Sequence, residues 1–200
     1  MSTRHARRIL WLGGLGIGLV GLVVLAIFVV PAVCPSCVPG SGQPTPKAAA
    51  STAGEEPVGT DVGERAPDFT LTDIDGNSFS LSELRGRPVV LYFSASWCLP
   101  CAPETQELAK RKARYSALEI VWISVDPKSD SPETLRAHRR RYGRDDFIYA
   151  LDTAGVTQLY RVVSLGDLYL VDAQGRIVFK GARPVGTKPF EEALARVMSR

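Results

Sequence analysis

The chain has 200 residues, 45% of them hydrophobic, and a formal net charge of +3. That length suits one globular domain plus an appendage. Much of the surplus charge is Arg4, Arg7 and Arg8, and from Asp61 onward acidic and basic residues nearly cancel, which leaves no electrostatic footprint for nucleic-acid binding.

Residues 1–9 read as a basic cytoplasmic tip. The uncharged apolar run Leu10 to Val33 follows. It exceeds the roughly 20 residues that a helix needs to cross a bilayer core. The arginines before it predict an N-terminus held in the cytoplasm and an exported remainder, at the cell membrane as a single-pass protein. A cleaved signal peptide would have a shorter apolar core, and its nearest small-residue site, Ala48-Ala49-Ala50, lies well past the run. A lipid anchor on Cys34 would want a smaller residue than Val33 before it. A retained transmembrane anchor over 10–33 is therefore expected. Gly14 and Gly18 give it a GxxxG spacing, a weak pointer to helix pairing.

Residues 34–61 read as a linker rich in Pro, Gly, Ser, Thr and Ala, without apolar periodicity. A coil of about 25 residues spans roughly 25–30 Å on average, so the domain would work close to the membrane. Cys34 and Cys37 open this linker. Three readings of the pair stand: an inert disulfide or free thiols, an auxiliary relay to a second pair, and a metal site shared between two chains. The relay is compatible with the tether, which sets a local concentration of roughly millimolar.

The rest, 62–200, reads as one α/β domain. Phe69 to Leu71 and Ser78 to Leu81 flank Asp75-Gly76, a hairpin turn signal. Val89 to Phe93 and Glu119 to Val125 are continuous apolar runs of the kind buried on both faces of a sheet. Cys98 to about Tyr115 reads as helix. Pro132 to about Tyr142 reads as a second, with Ser131 as N-cap and Pro132 at the first position. Its Arg139-Arg140-Arg141 run reads as a solvated face. A short strand over Phe147 to Leu151, a short helix over Thr153 to Tyr160, a hairpin of Leu168 to Val171 with Ile177 to Lys180, and a helix over Pro189 to Met198 complete the order. Strands alternating with helices predict a mixed sheet covered on both faces.

The chemistry concentrates in Trp97-Cys98-Leu99-Pro100-Cys101. The strand before it and the helix after it place Cys98 at a helix N-terminus, where unpaired N–H groups and the dipole favour a thiolate. Cys98 is the expected exposed nucleophile and Cys101 the buried resolving thiol. The competing readings are a structural disulfide and half a zinc site; for zinc, with only His5, His138, Cys34 and Cys37 in addition, the chain is short of ligands. Glu104 follows Cys101 by three residues, one helical turn, and falls on the same side. Trp97 is expected to shield the sulfurs and offer substrates a flat apolar contact, and Pro100 to stiffen the turn. No cofactor is implied.

The pattern Trp97-Cys98-x-Pro100-Cys101-x-x-Glu104 resembles the signature of TlpA-like and ResA-like thiol–disulfide oxidoreductases, a thioredoxin-superfamily branch with an AhpC/TSA-Redoxin type domain. Ala66-Pro67-Asp68-Phe69-Thr70-Leu71 and Tyr169-Leu170-Val171-Asp172 extend the likeness over Val62 to Arg200. The resemblance implies a thioredoxin-like fold with an N-terminal β-hairpin and a central helix–strand insertion at Ser129 to Leu151. It implies a redox-active disulfide between Cys98 and Cys101, with Glu104 as the buried acid that handles its proton. It implies exported protein thiols and disulfides as partners, in cytochrome c or copper-site maturation, and a CcdA-like or DsbD-like membrane donor of electrons. The family's cis-proline opposite the dithiol is replaced here by Gly166 after Leu165. This pair is the expected substrate-contact loop, trans or cis.

Two rival functions share the fold. A peroxiredoxin-like thiol peroxidase would have a threonine and a proline where Ala95 and Leu91 stand. A Sco-type copper chaperone would have a CxxxC and a distal histidine, and no histidine follows His138.

Overall fold

The computed structural model describes residues 57–199. The expected anchor over 10–33 and the Cys34/Cys37 pair lie outside the described residues. No helix among the described residues is long and apolar enough to cross a membrane.

Among the described residues, seven strands and four α-helices follow in order. They are β1 (Thr70–Thr72), β2 (Ser78–Ser80), β3 (Val89–Ser94), α1 (Ala102–Arg114), β4 (Glu119–Ser124), α2 (Pro132–Tyr142), β5 (Ile148–Leu151), α3 (Val156–Leu159), β6 (Asp167–Val171), β7 (Ile177–Ala182) and α4 (Lys188–Met198). β1 and β2 form the hairpin, and the others form one sheet in the order β5-β4-β3-β6-β7. β3 runs parallel to β4 and antiparallel to β6. This is the expected mixed α/β, thioredoxin-like arrangement.

The central position of β3 explains its unbroken apolar sequence. Because side chains alternate across a strand, Leu91 and Phe93 enter one core while Val90 and Tyr92 enter the other. The first core is closed by the hairpin residues Phe69, Leu71 and Phe79 and by Val156 and Tyr160 at α3. The second is closed by Leu108 of α1, Leu135 of α2 and Phe190 and Leu194 of α4. Burying one such side chain fully is worth about 1.5–3 kcal/mol, so both layers hold the strand that leads into the dithiol.

Local signals set several boundaries. Ser131 accepts from the Thr134 N–H at 3.2 Å and Pro132 occupies the first turn, so α2 starts where the sequence places it. The short helix is only four residues, Val156–Leu159. Its start is fixed by the Asp152 carboxylate, which accepts from the Val156 and Thr157 N–H groups at 2.8 and 2.7 Å.

Two expectations need correction. The helical stretch from Cys98 divides: Leu99–Cys101 is a 3-10 turn, and the α-helix begins at Ala102. Pro103 is the cause, since it has no N–H and its ring would clash with the carbonyl four residues back in a regular helix. The Cys101 N–H instead reaches the Cys98 carbonyl at 3.0 Å. The arginine run of α2 is also not uniformly solvated. Arg139 makes a paired contact to Asp75 in the hairpin turn, at 2.7 and 3.3 Å, while Arg140 and Arg141 remain exposed.

Candidate active site

The strand β3 ends in Ser94 and delivers the chain into the loop Ala95 to Pro100. Cys98 and Cys101 are joined there as a disulfide, with their Cα atoms 5.3 Å apart. Cys98 is 7% exposed and Cys101 1%. Cys98 is thus the more accessible of the two, though buried rather than exposed as expected, at the N-cap of the 3-10 turn. Trp97 and Leu99 flank it and stand 54% and 73% exposed. Trp97 is oriented by its indole N–H, which donates to Asp126 at 3.2 Å.

The loop is pinned by the segment that follows the neighbouring parallel strand β4. Asp130 accepts from the Ser96 N–H at 3.0 Å, from the Ser96 hydroxyl at 2.5 Å and from the Ser124 hydroxyl at 2.6 Å. These bonds tie the segment entering the dithiol to the end of β4 and the start of α2. Below Cys101, its carbonyl accepts from the hydroxyls of Tyr92 and Thr105, both at 3.4 Å. Thr105 in turn accepts from the Trp122 indole at 3.3 Å. Asp130, Tyr92 and Thr105 were not singled out from sequence, because their partners are set by tertiary contact.

Glu104 lies in the first turn of α1 and is 8% exposed, so it is not a solvated helix glutamate. One oxygen accepts from the Val185 N–H at 2.8 Å. Burial pushes its carboxyl above the usual range, and the Val185 bond and the Arg183 charge oppose that shift. The Tyr92 hydroxyl is raised by burial and then by the Glu104 charge. Tyr92 therefore lies within electrostatic reach of Glu104 while its hydroxyl touches the Cys101 carbonyl.

The Leu165–Gly166 loop stands at the same end of the sheet. The Gly166 N–H donates to the Phe93 carbonyl at 2.8 Å, and the Gly166 carbonyl accepts from Arg183 at 2.7 Å. Both backbone groups of Gly166 are used inside the chain. The backbone of Leu165 makes no hydrogen bond among the described residues, so its polar groups are the ones in this loop left uncommitted. All described peptide bonds are trans, and Gly166 has φ +93°. Among the described residues no group of three or more His, Cys, Asp and Glu side chains is arranged to hold a metal ion.

A disulfide-bonded CxxC at the junction of a central strand and a helix, on a thioredoxin-like fold, defines a protein-disulfide oxidoreductase. The sequence profile of the AhpC/TSA family matches residues 62–180, and the chain belongs to that family. It is 32% identical to the thioredoxin-like protein YneN of Bacillus subtilis over 127 residues, covering 63% of this chain and 74% of the relative. It is 32% identical to the thiol-disulfide oxidoreductase ResA of the same organism over 129 residues, covering 63% and 69%. The thiol:disulfide interchange protein DsbE of Chlorobium tepidum superposes with a TM-score of 0.60 at 26% identity, covering 69% of this chain and 98% of that one. The resemblance to TlpA-like and ResA-like oxidoreductases read from the motif agrees with these relatives.

Proposed function

We propose that this protein reduces disulfides of exported proteins at the outer face of the cell membrane, with Cys98 attacking and Cys101 resolving. The observation that carries this reading is the asymmetry of the pair: both sulfurs belong to one disulfide, yet only Cys98 borders open space. In the reduced enzyme the Cys98 thiolate attacks one sulfur of the client disulfide. A Cys98–client bond forms, and the other client sulfur departs as a thiolate and takes a proton. The Cys101 thiolate then displaces the second client sulfur. The client gains two electrons and two protons, and the 98–101 disulfide is restored.

Glu104 is proposed to accept the Cys101 proton, directly or through a water. Its raised carboxyl pKa brings it closer to the working pH, where a general base is most effective. Trp97, Pro100 and the free backbone of Leu165 are proposed to receive the client strand. Neither a charge nor a histidine stands between the cysteines to favour the reduced form, which supports the role of reductant. Membrane attachment rests on the run Leu10 to Val33, and clients in cytochrome c or copper-site maturation, with a CcdA-like or DsbD-like donor, rest on the family resemblance. The peroxidase alternative gains no support, since Leu91, at the place of its proline, is enclosed within β3.

The test is trapping. Cys101→Ala should accumulate a mixed disulfide with clients through Cys98, and Cys98→Ala should accumulate none. The potential of the pair separates the directions of flow: about −270 mV means reductant and about −120 mV means oxidant.

A further inference from the structure

A concavity of about 270 Å³ opens beside Cys98, between the dithiol turn and α2. Its dithiol wall includes Cys98 and Leu99, and its α2 wall includes Ala137, His138, Arg141 and Tyr142. The α2 residues recur at helical spacing, so one face of the helix looks onto the sulfur. The volume falls below the roughly 300–1,000 Å³ of small-molecule sites and fits a side chain better than a cofactor.

The charge on that wall is unspent. Arg136 and Arg139 pair with Asp75 on the hairpin. Arg141 is exposed and has no carboxylate partner among the described residues; its guanidinium rests over the Tyr142 ring at 5.2 Å. His138 is 4% exposed, and while Nδ1 meets the Tyr149 hydroxyl at 3.2 Å, Nε2 has no partner among the described residues. A polar group that buried is ordinarily paired.

Resting on the reading of Cys98 as the attacking thiol, we propose that this concavity is a client subsite in which Arg141 receives an aspartate or glutamate next to the client's reactive cysteine. A client joined to Cys98 must pass residues beside its own cysteine across this wall. The cation selects among them by complementarity, which acts on encounter rate and register.

The test uses the full-length protein and two disulfide-bonded peptides that differ only in glutamate or lysine beside the cysteine. The wild-type chain should reduce the glutamate peptide about fivefold faster, the scale of an exposed ion pair, and the ratio should shrink as salt rises. Arg141→Glu should invert the ratio, and Arg141→Lys should retain it. Because a ratio is read, any change in Cys98 thiolate content cancels. A ratio near one in the wild type, or one unchanged in Arg141→Glu, overturns the proposal. Full turnover of both peptides by Cys98→Ser would overturn the underlying reading of Cys98, and would leave the Arg141 ratio to be judged by itself.

Discussion

Replacing Gly166 by alanine should cost stability through two separate effects. A Cβ at this position would stand 2.5 Å from Cγ of Arg183, well inside contact. The Arg183 stem cannot simply swing aside, because its own backbone is held at φ +47° and its N–H is bonded to the Gly166 carbonyl. Overpacking of this kind costs about 1–3 kcal/mol, and a non-glycine residue at φ +93° costs about 1–3 kcal/mol more. We expect a loss of about 3 kcal/mol, a fall in Tm of about 6–12 °C for a domain of this size. Urea and thermal melts of Gly166→Ala, Arg183→Ala and the double variant would separate the parts. Arg183→Ala should restore the packing share and leave the backbone share, a coupling of about 1–3 kcal/mol. Gly166→Pro should be worse than alanine: proline fixes φ near −65° and has no N–H for the Phe93 carbonyl. A proline variant as stable as the wild type would refute this reasoning, since the loop would then accept the family's usual residue in place of the observed geometry.

Other perturbations test the buried groups. The raised Glu104 carboxyl contributes stability that is complete below pH 4.5 and is lost as pH rises through its folded value. Glu104→Gln should therefore be at least as stable as wild type at pH 7 in urea melts, with the difference shrinking at low pH, while turnover falls about 10²-fold. Burial depresses His138 to about 4 from 6.5, so its contribution is present above pH 6.5 and is lost as pH falls toward 4; the loss is roughly 3 kcal/mol at most. His138→Asn should flatten that slope in melts taken across the interval. Asp130→Ala should cost about 2–4 kcal/mol by stranding the Ser96 and Ser124 donors, on the scale of 1–3 kcal/mol for each buried group left unpaired. Asp126→Ala, which loses the exposed bonds from the Trp97 indole and the Ser129 N–H, should cost about 1 kcal/mol in the same assay, less than Asp130→Ala.

What was legible in the sequence was what local chemistry decides. Ser131 and Pro132 marked the start of α2 because a cap and a first-turn proline act within a few residues. The continuous run of β3 announced a strand buried on both faces. Cys98, Cys101 and Glu104 could be named from their spacing and from family likeness. The break between the 3-10 turn and α1 is also written locally, in Pro103. Other features were out of reach because they depend on contacts between distant segments. Arg139 looked solvated until Asp75, 64 positions earlier, came beside it. Asp130 carries no motif, and its role comes from Ser96, 34 positions away. That Gly166 spends both backbone groups inside the chain follows from Phe93 and Arg183, which no spacing rule connects.

The grip of Asp130 on Ser96 means that the segment between β4 and α2 is mechanically joined to the dithiol loop. A mutation that shifts the start of α2 would be felt two residues upstream of the reactive sulfur. A change in this segment would thus shift the position of the sulfur without altering any residue of the CxxC itself.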